Sequence, residues 1–126
     1  MRKTSPKAPV RIAAADGAFD GGPWSGAISG DALNTDALIL FVAEDAVGAG
    51  PSWHLHPYDE IFILKRGRAR FTVGDQVIDA EEGDVVMGPA NVPHKYENLG
   101  PGRMESIDIH LSRVWRQTDL DDPAEG

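Results

Sequence analysis

A chain of 126 residues is long enough for one domain with its own apolar core, and 41% hydrophobic with 25% charged residues is a globular balance. The formal charge, 12 − 20 = −8, works against a nucleic-acid backbone or an anionic membrane as the main partner. The absence of cysteine excludes disulfides and thiolate metal sites and fits a reducing, cytoplasmic setting.

In chain order, the opening MRKTSPK carries three bases and the closing DLDDPAEG four acids. Residues 1–8 and 119–126 are therefore expected as solvated tails of a single domain, 1–126, with a core of about 37–112. Arg11 breaks the apolar stretch that a secretion signal needs. The longest apolar run, ALILFVA at 37–43, is too short for a membrane-spanning helix. Segment 14–36 is rich in Gly, Asp and Ala and reads as loops around one short strand at WSGAIS. ALILFVA reads as a buried strand. WHLHPYDEIFIL, RARFTV, QVIDA, DVVMG, PHKYENL and MESIDIHL follow as further strands, with a Gly-first hairpin turn at Gly74-Asp75 and another turn at EEGD. RVWRQTDL reads as a helical turn. Short strands with frequent turns and almost no helical period predict an all-β sandwich or barrel.

Residues two apart in a strand share a face, so His54 and His56 of WHLHPYDE point the same way. Glu60 has the same parity. Pro57 interrupts a regular strand there, and a turn would fold Glu60 back towards the pair. His94 lies on another strand, PHKYENL. Three imidazoles and a carboxylate suit Zn, Fe, Ni, Cu or Mn rather than Ca or Mg, and they leave a coordination position open. By parity, Phe62 and Leu64 point inward with Glu60, and Tyr96 with His94. The Tyr96 hydroxyl could reach a ligand or satisfy a backbone carbonyl.

Ile61 and Ile63 then point outward. A strand apolar on both faces needs a second cover, either the N-terminal segment or a second subunit. In MESIDIHL, Ile107, Ile109 and Leu111 share one face and Ser106, Asp108 and His110 the other. With the apolar face inward, His110 faces solvent. The alternative puts Asp108 or His110 at the barrel mouth as a proton-transfer group, which keeps His110 with Phe62 and Tyr96 as substrate-pocket candidates. Trp24, Trp53 and Trp115 could cap the barrel or fill an interface.

The punctuation around the histidines resembles the two motifs of the cupin superfamily. Gly48 stands six residues before His54, Glu60 four after His56, and Gly67 seven after Glu60, which matches the first motif throughout. GDVVMGPANVPHKYEN places Gly83, Pro89, His94 and Asn98 as the second motif does, with Asn91 where the family has glycine. Asparagine is the next most tolerant residue of positive φ, so the turn is expected to survive. The resemblance covers 48–98 and implies a small double-stranded β-helix, or jelly roll, with a metal inside the barrel. Carried over residue by residue, it implies His54, His56, Glu60 and His94 as ligands of one divalent transition-metal ion per chain (Fe, Mn, Ni, Zn or Cu). Gly48, Gly67 and Gly83 are expected as turn residues, and Asn98 as an anchor for backbone groups. The implied function is a metal-dependent enzyme of oxygenase (such as a dioxygenase), isomerase or lyase type acting on a small polar organic molecule. The alternative is a non-catalytic metal-containing binding or sensor protein. A homodimer is also implied.

Overall fold

A computed structural model describes residues 6–124; the outermost parts of the expected tails, 1–5 and 125–126, lie outside the described residues. Ten strands dominate: β1 (Gly26–Ile28), β2 (Leu38–Glu44), β3 (His54–Leu55), β4 (Glu60–Arg66), β5 (Ala69–Val73), β6 (Gln76–Ala80), β7 (Val85–Gly88), β8 (His94–Asn98), β9 (Met104–His110) and β10 (Thr118–Asp119). A 3-10 turn (Ala14–Asp16) and a single-turn helix α1 (Gly30–Leu33), capped by Ser29, interrupt the N-terminal loops. The strands form two antiparallel five-stranded sheets, ordered β1-β2-β9-β4-β7 and β10-β3-β8-β5-β6. Segment 113–120, expected as a helical turn, contains no helix, and β10 lies within it. Glu-free RVWRQTDL offers neither an N-terminal acid nor an apolar stripe, and its backbone is drawn instead onto β3, where Thr118 pairs with Leu55 and Asp119 with His54.

Alternation sets the inside and outside. In β4 the buried residues are Glu60, Phe62 and Leu64, and in β8 they are His94, Tyr96 and Asn98. Phe62, Leu64, Phe71, Tyr96 and Met104 belong to one apolar cluster that fills one end of the space between the sheets. The histidines occupy the other end. Phe62 lies between the two, its ring centroid 5.0 Å from Phe71 and 5.5 Å from His94.

Strand β9 reverses the expected orientation. Its centre is paired on both sides, Asp108 with Leu40 of β2 and with Phe62 of β4. Directly paired residues share a face, so Ser106, Asp108 and His110 point inward, and each is at most 2% exposed. The isoleucines lie outside in two cross-strand rows: Ile39, Ile109, Ile61 and Met87, then Phe41, Ile107, Ile63 and Val85. The apolar face of β9 is thus half of an apolar outer sheet surface, and its polar face is half of the interior site.

The turns carry the punctuation as expected. Asn91 has φ 64°, the left-handed conformation for which the family uses glycine. Gly67 has φ 84°, and an added Cβ would lie 2.6 Å from the Arg103 carbonyl oxygen. Asn98 is fully buried and holds three backbone groups: Nδ2 donates to the carbonyls of Glu44 (3.0 Å) and Gly102 (2.9 Å), and Oδ1 accepts from the Gly100 amide (2.7 Å).

Candidate metal centre

Two sheets bring the histidines together. His54 of β3 pairs directly with His94 of β8, with ring centroids 4.4 Å apart. On the facing sheet, Glu60 of β4 pairs with His110 of β9. His56 follows β3, and the chain bends at Pro57-Tyr58 to return Glu60 to the same side. The left-handed turn of the second motif braces this bend: the Asn91 amide donates to the His56 carbonyl (2.7 Å), and the Ala90 amide to the Asp59 carboxylate (2.8 Å).

His54, His56, Glu60 and His94 each offer one ligand atom, all within 4.8 Å of one another and all buried. Hydrogen bonds fix which nitrogens face the centre. His54 Nδ1 donates to the Ser52 carbonyl (2.5 Å), His56 Nδ1 to the Arg116 carbonyl (2.7 Å) and His94 Nδ1 to the Val92 carbonyl (3.3 Å). A carbonyl oxygen only accepts, so in neutral His54 and His56 each Nδ1 holds the proton and each Nε2 presents a lone pair, whereas His94 has an acceptor at each nitrogen, the Val92 carbonyl at Nδ1 and Glu60 Oε1 at Nε2. His56 and His94 present Nε2 at 3.1 Å and 3.2 Å from Glu60 Oε1. His56 Nε2 has no hydrogen-bond partner despite full burial. Lone pairs of three imidazoles and a carboxylate oxygen converging in a buried space repel one another unless a proton or cation lies among them. The residues therefore fit a divalent transition metal, and their nitrogen-rich donor set is wrong for Ca or Mg.

The electrostatics agree. Burial opposes ionisation of Glu60, but its close contacts with the His110, His56 and His94 imidazoles outweigh it and hold the carboxyl well below the usual carboxylate range. Burial works against charge on His56, yet Glu60 and the Arg116 carbonyl raise its proton affinity above the ordinary value. Burial, reinforced by His94 and His56, lowers that of His54.

His110, the fourth histidine, is 1% exposed and lines the cavity, so of its two expected placements the structure takes the pocket rather than the solvent face. Its Nε2 lies 3.0 Å from Glu60 Oε2, the carboxylate oxygen turned away from the other three rings. Sequence alone offered one signal: the polar parity of Asp108 and His110 on a strand that could pair with Glu60. Of two further contributors, Tyr58 was not singled out, and Trp115 was expected either to cap the barrel or to fill an interface. Tyr58 lies inside WHLHPYDE, its hydroxyl 2.7 Å from His110 Nδ1 and its ring stacked on His56 at 5.0 Å. Segment 112–117 lays Trp115 against the histidines, 4.8 Å from His110 and 6.2 Å from His56 between ring centroids. Trp115 thus caps the barrel, whereas Trp24 packs on Phe41 of the outer sheet face at 5.0 Å.

A cavity of about 300 Å³ opens onto His54, His56 and Glu60 of the group and onto His110, with Leu40, Val42, Phe62, Tyr96, Asp108 and Trp115 among its other walls. Tyr96 does not satisfy a backbone carbonyl: its hydroxyl donates to Asp108 Oδ2 at 2.6 Å, and Ser106 Oγ donates to Oδ1 at 2.8 Å. Burial, and then the charge of Glu60, push the Asp108 carboxyl up to about 7 against these two donors. An acid placed so can give or take a proton near neutrality. No helix among the described residues is long and apolar enough to cross a membrane.

Comparison with known proteins gives the same frame. An uncharacterized protein of Streptomyces coelicolor, SCO3923, is 31% identical over 77 residues, covering 54% of this chain and 73% of that protein. Bacillus subtilis oxalate decarboxylase, solved in work on its Mn(II) centres, superposes with a TM-score of 0.69 at 21% identity. That match covers 75% of this chain and 27% of that one. A double-stranded β-helix protein from Klebsiella pneumoniae superposes with a TM-score of 0.63 at 17% identity, covering 69% and 72%. At such identities the structures share the fold: here, as there, it is the double-stranded β-helix. The Cupin domain profile matches residues 41–110, a span running from β2 through both histidine-bearing stretches to His110. More than half of the chain lies in that match, and the protein belongs to the cupin family.

Proposed function

We propose that the protein is a metal-dependent enzyme acting on a small polar organic molecule, with His54, His56, Glu60 and His94 holding one divalent transition-metal ion. The observation that carries this reading is the convergence of three imidazoles and one carboxylate, all buried, beside a cavity large enough for a small ligand. When bound, the metal would supply Lewis acidity or an open coordination position for dioxygen or an oxygen-bearing substrate. The chain supplies the rest. Leu40, Val42 and Phe62 exclude water from one side of the cavity, and Asp108, steadied by Tyr96 and Ser106, is placed to exchange a proton with a bound molecule. Asp108 favours an enzyme over a sensor, because an acid kept close to neutrality is a cost that binding alone does not require. Oxygenase, isomerase and lyase chemistry are all compatible with this site. Metal analysis of chelator-free protein followed by oxygen uptake tests the reading: consumption with a catechol, diketone or thiol selects the oxygenase branch. A fully reconstituted protein that consumes no oxygen and turns over no isomerase or lyase substrate contradicts catalysis.

The same reading includes a homodimer and a cytoplasmic location. The two rows of apolar residues across the outer sheet face support the first, with Val85 62% and Met87 51% exposed at its edge. A second copy related by a two-fold axis covers that face with an identical one. The lack of cysteine supports the second.

A further inference from the structure

The Arg116 peptide touches the candidate metal centre twice. Its carbonyl accepts from His56 Nδ1 at 2.7 Å, and its amide donates to the Tyr58 hydroxyl at 3.3 Å. The second contact continues inward. A backbone amide only donates, so the Tyr58 oxygen accepts from Arg116 and is free to turn its own proton to His110 Nδ1, 2.7 Å away. Nδ1 of His110 is then an acceptor, and its proton sits on Nε2, 3.0 Å from Glu60 Oε2, an ionised oxygen that only accepts. His110 thus has the tautomer opposite to that of His54 and His56, which donate through Nδ1. It faces the centre with a proton where they face it with lone pairs. That distinguishes it from the ligand set and makes it a donor that fixes the Glu60 carboxylate.

The segment carrying Arg116 is held at its two ends. Beyond it, β10 pairs with β3, and the Leu120 amide donates to the Trp53 carbonyl at 3.1 Å. Before it, the Leu111 amide donates to the Asp59 carbonyl at 3.1 Å, and Arg113 Nη1 donates to Asp31 Oδ1 at 3.2 Å. Between these ends Trp115 lies over His110 and His56. Residues 112–120 therefore form a strap across the site, joined to one metal-facing group directly (His56) and to another through two side chains (Tyr58 and His110, to Glu60).

We propose that Tyr58 and His110 are positioning residues which, through the Arg116 peptide, couple the seating of this strap to the placement of Glu60 and His56, so that a bound divalent metal and a closed strap stabilise each other. The inference rests on the four-residue group being a metal site. Coupling of this kind is reciprocal: what holds the strap tightens metal binding, and metal holds the strap.

The test uses the full chain and Zn(II) as the probe, comparing wild type with Tyr58→Phe and His110→Gln. Titration calorimetry reads affinity, and amide hydrogen exchange at Leu120, whose amide bonds to the Trp53 carbonyl, reads the strap. In wild type, Zn(II) is expected to slow exchange at Leu120 tenfold or more. Tyr58→Phe is expected to keep one Zn(II) per chain and wild-type circular dichroism, to bind about tenfold more weakly, and to lose the zinc-induced protection at Leu120. His110→Gln retains a donor for Glu60 but breaks the link to Tyr58, so it should lose the protection with a smaller change in affinity. Nitrogen NMR of the metal-free wild type adds a readout that a merely structural role would not give: His110 protonated at Nε2 and bare at Nδ1. Zinc binding and Leu120 protection that are both unchanged in Tyr58→Phe, or a His110 proton on Nδ1, overturn the proposal while leaving the metal site standing. A wild type that takes up no Zn(II) overturns the metal-site reading itself, and the coupling with it.

Discussion

The Tyr96 hydroxyl and the Asp108 carboxylate meet at 2.6 Å inside the barrel, joining β8 of one sheet to β9 of the other. This contact makes Asp108 a sensitive reporter of the interior. Its carboxyl is raised from 3.8 to about 7, so between those values the folded chain keeps a proton that the unfolded chain has released. Stability from this group is complete at low pH, falls as pH rises through that window and levels off above it. Asp108→Asn imitates the protonated acid. In metal-free protein, the stability of the variant relative to wild type should therefore improve between pH 4.5 and 7.5, by up to about 3 kcal/mol, the part of the shift that lies in that window. Denaturant unfolding in EDTA at the two pH values measures it, and parallel pH dependence in the two proteins would contradict a buried, proton-retaining Asp108.

Asn98 tests the turn framework separately from the metal. Its side chain satisfies the Glu44 and Gly102 carbonyls and the Gly100 amide. Asn98→Ala strands all three, at about 1–3 kcal/mol each when buried. Thermal unfolding should show a loss of at least about 3 kcal/mol, with metal stoichiometry unchanged because no candidate ligand bonds to Asn98. A loss below about 1 kcal/mol would mean that water reaches these groups.

How much of this could be read in the sequence varies from residue to residue. His54, His56, Glu60 and His94 were legible because motif spacing constrains both turns and parity, and the four do converge. Asn91 was legible for the same reason: its positive φ follows from the residue types that tolerate it. The orientation of β9 was not. Periodicity says only that Ile107 and Ile109 share a face, and in a sheet with an apolar outer surface the apolar face need not be the inner one. Which face turns inward was decided by pairing with Glu60 and Phe62 of β4, a contact between segments more than forty residues apart. The same limit hid Tyr58 and Arg116, whose roles arise from a C-terminal segment that local pattern suggested was helical.

The outer face of β4 gives the assembly prediction. Ile61 and Ile63 sit at the middle of the two apolar rows, and fully burying each is worth about 1.5–3 kcal/mol. Trp24 of the N-terminal loops packs on Phe41 at one end of a row, while Val85 and Met87 at the other end are exposed. Wild type should scatter light as a dimer at micromolar concentration, and Ile61→Thr with Ile63→Thr should shift it to monomer while keeping β-branched strand preference. Both proteins running as monomers would show that the face needs no second copy.

The most direct measurement is the metal content of chelator-free wild type beside His54→Ala, His56→Ala, His94→Ala and Glu60→Gln. The account predicts close to one transition-metal ion per wild-type chain and a sharp loss in each histidine variant, with the far-ultraviolet spectrum retained because the apolar cluster around Phe71 and Met104 is untouched. Glu60→Gln should bind more weakly than wild type but better than any histidine variant. Wild-type stoichiometry in any one histidine variant would remove that residue from the ligand set, and a wild type that binds no metal after reconstitution with Zn(II), Mn(II) or Fe(II) would contradict the central claim.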